Sequence, residues 1–390
     1  MAELIANIGE LATLAGGGSD AAPRRHDAAL VIDAGRIAWI GAAADAPAAD
    51  TRLDAGGGAV LPGWVDSHTH LVFAGDRSAE FEERMAGRPY AAGGIRTTVD
   101  ATRAASDDEL RANLRRLRAE AAAQGTTFLE TKTGYGLDIE NERRSAEIAV
   151  GIADVVTFLG AHVVPSGVDA DLYLAAVTGP MLAAVRPHVA FVDVFCEAGA
   201  FDPDRSRAVL EAGRAAGLRL KVHGNQLGES GGVALAVELG ATSVDHANHL
   251  SPDDVAALAA SDTVVTLLPG ADLSTRQPFP PARALLDAGA TVALATNANP
   301  GSSYTTSMPF CVATAVLQLR MTIDEALRAA TRGGALALGR DPDVEGIGAL
   351  VVGGRADLQL LAAPSVSHLA YRPGVPLTRA VWKDGVRIHG

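Results

Sequence analysis

His68 and His70 stand two residues apart at the end of the run Val60-Leu-Pro-Gly-Trp-Val-Asp-Ser67. His223 ends the run that begins at Arg219, and His246 ends the next, which begins at Ser243. On a strand, residues i and i+2 project to the same side, so His68 and His70 can share one ion. An isolated histidine is more often a surface or satisfied core residue than a ligand. Four at matching strand ends are hard to explain that way, and they point to a metal. Nitrogen-rich ligation with few carboxylates suits one zinc or iron ion rather than magnesium. An ion with an open position lowers the pKa of bound water to about 7 and so equips the site to attack a carbonyl.

These side chains need a scaffold that brings strand ends together. Beside Val60 to His70, strand-like runs recur at 127–131, 155–159, 191–195, 219–223, 243–246, 264–268 and 292–296. Helix-length segments such as 204–216 and 230–239 separate most of them. Residues 106–124 form one helix with Ser106 as N-cap, Glu109 at the capping-box position and Gly125 past the end. Strand–helix alternation implies a parallel sheet, and eight units fit a closed α/β barrel, with a doubly wound open sheet as the alternative. In a barrel, the ends that carry the histidines form the active-site face. Both termini are β-rich, with hairpin patterns around Asp33-Ala-Gly35 and in Ala380 to Ile388. The expected architecture is therefore a (β/α)8 TIM-like barrel over residues 59–345, with a small β-sandwich domain built from 1–58 and 346–390.

Composition narrows the function. The formal net charge is −13, so the chain offers no basic footprint for nucleic acid or an anionic membrane. An acidic surface still allows an anionic substrate, because one buried arginine can bind a carboxylate. Only two cysteines, Cys196 and Cys311, are present, which excludes a disulfide framework and suits a reducing compartment. Glu3 and Glu10 sit where a secretory leader would want basic residues, and no apolar run approaches the ~18 residues of a membrane span. A cytoplasmic protein with a small-molecule substrate is expected. The oligomeric state stays open, a homodimer included.

The stretch Leu61-Pro-Gly-Trp-Val-Asp-Ser-His-Thr-His70 resembles the opening strand motif of the amidohydrolase superfamily. Within that superfamily, the chain from His68 onward resembles the imidazolonepropionase family. The matching stretches are 68–77, Lys132-Thr-Gly-Tyr-Gly-Leu137, 158–162, 191–197, Asp245-His246 with 249–251, 267–270, and 299–303 with 307–309. Together they span about residues 60 to 340. The resemblance implies metal-dependent hydrolysis of the ring lactam of 4-imidazolone-5-propanoate to N-formimidoyl-L-glutamate, a step of histidine degradation. It implies His68, His70 and His223 as metal ligands, with the fourth at position 297. Substrate contacts fall on Arg77, Tyr135, His162, Gln226, Asn299, Gly301 and Ser302. His246 is the residue able to take and return a proton, and Asp245 and His249 are expected to support the ligands. The planar fork of Arg77 suits a propionate carboxylate, within reach of the Tyr135 hydroxyl. Lys132 is read as solvated or as a support behind the ligands.

The chain departs from the family pattern at two polar positions. Where the family has aspartate the sequence reads Asn297, and where many members have an acid it reads Gln226. Asparagine offers a neutral carbonyl oxygen, and neither amide accepts a proton at neutral pH. Thr133 for the more usual serine keeps the hydroxyl. Three readings are open: an active hydrolase with His246, Asn297 and Gln226 around the attacking water; an impaired or ligand-binding variant; or a related cyclic-amide hydrolase or deaminase. Arg77 and Tyr135 weigh against an uncharged substrate.

Overall fold

Eight strands lie in one sheet in chain order: Trp64–Asp66, Thr126–Lys132, Val155–Ala161, Phe191–Cys196, Arg219–Gly224, Ser243–His246, Val264–Leu267 and Val292–Leu294. They belong to a computed structural model that describes residues 1–16, 24–87 and 94–390. From the second strand to the eighth, every neighbouring pair is parallel. Just past the first and last strands, Thr69 bridges Asn297 in the parallel sense, and the Asn297 N–H donates to the His68 carbonyl at 3.0 Å. The sheet therefore closes on itself as a barrel, and the open doubly wound alternative falls away. Closure also sets His68 beside Asn297.

Parallel strands covered on both faces read as continuous buried runs, and the second, third and fourth strands are buried at every position. Their composition is unusual for a barrel interior, which bulky aliphatic residues normally fill. Glu130, Lys132, Asp193, Lys221 and Asp245 are all fully buried on these strands and their neighbours. Such groups are costly to bury unless paired. The helices between strands start where side chains can take up their first N–H groups. Asp202 caps 203–215, and Ser251 closes a capping box before 252–259. Residues 107–123 come after Ser106, whose hydroxyl accepts from the Glu109 N–H at 3.3 Å while its own N–H donates to the Glu109 carboxylate at 2.7 Å.

The run from Val60 to His70 is not one strand. Ala59–Pro62 belongs to a separate sheet, and the barrel strand begins at Trp64. Pro62 has no N–H with which to continue a ladder, and Gly63 passes so close to Thr127 that a Cβ would lie 2.2 Å from its side chain. Only glycine fits that crossing.

The terminal segments form two further sheets. One orders Arg36–Ala42, Ala28–Asp33, Glu3–Ile8 and Thr51–Asp54; the other orders Val386–His389, Thr378–Lys383, Leu358–Leu361, Ala59–Pro62 and Glu10–Leu11. Ile5, Leu11, Leu30, Ile37, Val60, Leu358 and Trp382 are buried in one apolar core here, the small sandwich expected of the termini. The chain groups into two compact units, residues 1–66 with 119–128 and 307–390, and residues 67–118 with 129–306. The second holds every candidate site residue. In the first, Trp382 is 1% exposed and its indole N–H donates to Glu3 at 3.2 Å. Trp382→Ala should cost about 3–5 kcal/mol in urea denaturation; a loss below about 1 kcal/mol would contradict this packing.

Candidate active site

The four strand-end histidines converge. His68 Nε2 lies 3.1 Å from His70 Nε2. The His68 and His223 rings are 4.5 Å apart by centroid, and His246 is 5.4 Å from His223 and 5.6 Å from His68. Two carboxylates set the tautomers. Asp245 Oδ2 accepts from His68 Nδ1 at 2.6 Å, and Asp193 accepts from His223 Nδ1 at 3.1 Å. Each bond leaves the Nε2 lone pair of its imidazole for something else. Burial pushes both carboxyls upward, but their neighbours win: Lys221, the hydrogen bond from His68 and Lys132 hold Asp245 well below the usual carboxylate range, and the contact with His223 and the Lys132 ammonium hold Asp193 down. Burial drives His68, His70 and His246 well below an ordinary imidazole and His162 to about 4, so all four are neutral near pH 7.

Buried polar atoms without partners are rare in folded proteins. Here His223 Nε2, His246 Nδ1 and Asn297 Oδ1 have no hydrogen-bond partner among the described residues. Nitrogens bound to one zinc ion at about 2.1 Å stand roughly 3.0–3.4 Å apart, which the His68–His70 separation matches. These residues fit a metal ion. The trio whose donor atoms all lie within 4.8 Å of one another among the described residues is His68, His223 and His246, and His70 adjoins it through its Nε2 contact with His68. Asn297 gives its Nδ2–H to Ser302 Oγ at 2.8 Å, so its carbonyl oxygen is the atom left over. His246 and Asn297 both hold a left-handed backbone, φ +82° and +67°. That is costly for histidine, by about 1–3 kcal/mol, and milder for asparagine.

Beside the imidazoles lies a cavity lined by Arg77, Tyr135, His162, Gln226, Asn299 and Ser302, with His70, His223, His246 and Asn297 at its floor. Gly301 is not in the lining; it backs Arg77, where a Cβ would fall 2.1 Å from Nη1. Arg77 is not an open fork. Glu80 accepts from its Nε at 2.8 Å and its Nη2 at 2.7 Å. His162 Nδ1 donates to the Gly134 carbonyl at 3.0 Å. Gln226 donates its backbone N–H to Glu197, whose carboxyl burial pushes up to about 6.

Sequence reasoning missed several contributors. Ile95, Val163 and Phe195 supply apolar wall, and nothing in their local pattern separates them from core. Glu142 is fully buried and accepts N–H bonds from Gly134, Gly136 and Leu137, caging the loop that carries Tyr135. Its place in the first turn of the helix Ile139–Ala149 reads as ordinary dipole chemistry. Of the two readings of Lys132, burial removes the solvated one, since it is 0% exposed, and leaves that of a support behind the ligands. Asp245 supports His68 as expected, whereas His249 is tied through its backbone to Asn225, not to the imidazoles.

Comparison with known proteins identifies the family of the chain. A model of the amidohydrolase family matches residues 196–388. An imidazolonepropionase of Saccharopolyspora erythraea is 66% identical over 387 residues, covering 99% of each chain. Another from Arthrobacter sp. is 62% identical over 404 residues, covering 99% of this chain and 100% of its own. The chain belongs to the imidazolonepropionase family of amidohydrolases. Solved structures at lower identity share the fold. A zinc-bound adenosine deaminase from Xanthomonas campestris superposes with TM-score 0.73 at 19% identity, covering 99% of this chain and 92% of its own. A mutant atrazine chlorohydrolase from Arthrobacter aurescens, complexed with zinc and atraton, gives 0.74 at 19%, covering 99% and 94%.

The turn after His246 in this imidazolonepropionase-family chain has its own anchor. Asn248 Nδ2 donates to Asp272 Oδ1 at 2.6 Å and to the Pro278 carbonyl at 2.8 Å. Burial raises the Asp272 carboxyl from 3.8 to about 8. Between those values the folded protein keeps a proton that the unfolded chain has released. The contribution of this group to stability therefore falls as pH rises through the window and is lost above it. Relative to the wild type, Asp272→Asn should gain stability in urea titrations as pH rises from about 4 to about 8, with the difference level above that. A difference between the two proteins that ignores pH would contradict the assignment.

Proposed function

We propose that the chain hydrolyses the ring lactam of 4-imidazolone-5-propanoate to N-formimidoyl-L-glutamate in histidine degradation, in the cytoplasm. The observation that carries this reading is a single cavity joining an imidazole cluster to Arg77 and Tyr135, in a chain of the imidazolonepropionase family. His68, His70, His223 and the Asn297 carbonyl are assigned to one zinc or iron ion; imidazole-rich ligation supports either metal. When bound, such an ion supplies Lewis acidity and makes water a nucleophile near neutral pH.

The protein's own groups do the rest. Arg77, steadied by Glu80 and pressed against Gly301, and the Tyr135 hydroxyl orient the propionate carboxylate. His162, neutral and fixed through Nδ1, faces the ring with its Nε2. Gln226 and Asn299 orient water and the ring amide by hydrogen bonds, with Ser302 holding Asn297. His246 is neutral, so it can take the proton of the attacking water and return it to the ring nitrogen as the carbonyl C–N bond breaks. Water oxygen ends in the new carboxylate. On this reading the tail-binding wall selects a substrate with an acidic arm over an uncharged cyclic amide.

Asn297 favours a second reading, ligand binding with little turnover, because it cannot accept a proton. The two readings separate on ring opening by metal-loaded protein, measured together with metal content. The hydrolase reading expects turnover by the wild type, a marked loss with an analogue lacking the propionate arm, and a gain of about tenfold or more in metal retention and rate for Asn297→Asp. No ring opening by the wild type at any loading, with turnover appearing only in Asn297→Asp, would replace it with the binding reading.

A further inference from the structure

Beneath the imidazoles, the Lys132 ammonium is 0% exposed and meets three carboxylates. Nζ stands 2.8 Å from Asp193 Oδ2, 3.1 Å from Glu130 Oε1 and 3.7 Å from Asp245 Oδ2. Each carboxylate holds a different part of the cluster. Asp245 binds His68 at 2.6 Å, and Asp193 binds His223 at 3.1 Å. Glu130 Oε2 accepts the N–H of Thr69, the residue between His68 and His70, at 3.1 Å. The Lys132 backbone N–H also donates to the Thr69 carbonyl at 2.9 Å. The three carboxylates come from three different strands, yet they meet at one nitrogen.

We propose that Lys132 is a positioning residue that couples the three ligand-bearing elements, acting through Asp245 on His68, through Asp193 on His223 and through Glu130 on the backbone between His68 and His70. This rests on the assignment of those histidines to a metal ion. Three carboxylates packed together repel one another, and a single cation at their centre lets them hold a fixed geometry. With the cation gone, the carboxylates separate or turn toward other donors, and each imidazole loses its orientation independently. Removing a hydrogen-bonded partner behind a metal ligand typically weakens metal binding by about 10–100-fold. Because one lysine stands behind all three attachments, its removal should fall within that range.

The test uses the full chain, zinc affinity by chelator competition, and the visible absorption bands of the cobalt-loaded protein. Lys132→Met leaves three unpaired buried carboxylates and invites misfolding, so Lys132→Met/Glu130→Gln, which removes one charge of each sign, is compared with Glu130→Gln alone. The double variant is expected to bind zinc about 10–100-fold more weakly than the wild type, with shifted cobalt bands, while Glu130→Gln changes affinity only a few-fold. In a second measurement, the zinc-affinity losses of the near-isosteric Asp193→Asn and Asp245→Asn should fail to add when combined, because both act through Lys132. Wild-type zinc affinity and cobalt bands in the double variant, or strictly additive losses in the carboxylate pair, would overturn the coupling. A wild-type protein that binds neither zinc nor cobalt would instead overturn the metal assignment beneath it.

Discussion

Two buried hydrogen bonds, Asp245 to His68 and Asp193 to His223, decide what the rest of the site can be. An imidazole has two nitrogens, and a carboxylate that claims Nδ1–H leaves the Nε2 lone pair available for another partner. His223 Nε2 is such an atom. Burial keeps His68, His70 and His246 unprotonated, so the cluster does not repel itself as a group of cations would. A carboxylate cannot stay ionised in that interior without positive charge nearby, which is why Lys132 and Lys221 sit fully buried on the barrel strands. Polar residues in the barrel core are thus a consequence of the site above them.

Closure of the barrel is the second constraint. The bridge between Thr69 and Asn297 joins the first strand's end to the last, and it sets the neutral amide of Asn297 at the edge of the cluster. The backbone there and at His246 is left-handed, a conformation held by the surrounding contacts rather than favoured locally. On the His246 side, Asn248 and Asp272 pin the next turn. On the Asn297 side, Ser302 takes the amide N–H and turns the oxygen free. Strain at both places is paired with a specific polar anchor within a few residues.

Much of this was legible in the sequence because strand periodicity and strand-end polarity are local signals. His68 and His70 had to share a side, and the other histidines ended their own runs, so their convergence came with closure of the sheet. The terminal hairpins were equally readable from Asp33-Ala-Gly35 and from the glycine at 385. What escaped depends on long-range packing. Pro62 and Gly63 split an apolar run between two sheets, and only the approach of Thr127 makes the reason visible. Glu142 looks like a surface residue by type and is fully buried, and of the two readings of Lys132, solvated or a support behind the ligands, its ion pairs with Asp193 and Asp245 leave the second. The Arg77 fork was expected to face a substrate; its engagement with Glu80, three residues on, belongs to a helix start that the pattern did not mark.

The claim on which the other assignments stand is that His68, His70 and His223 aim their Nε2 atoms at one ion. Anomalous diffraction from crystals of the metal-loaded protein, collected on either side of the zinc and iron absorption edges, tests it directly. One strong peak at about 2.0–2.3 Å from all three Nε2 atoms is predicted, and the edge at which it appears names the metal. A peak bound elsewhere, or none in protein shown to carry a full equivalent of metal, would contradict the account.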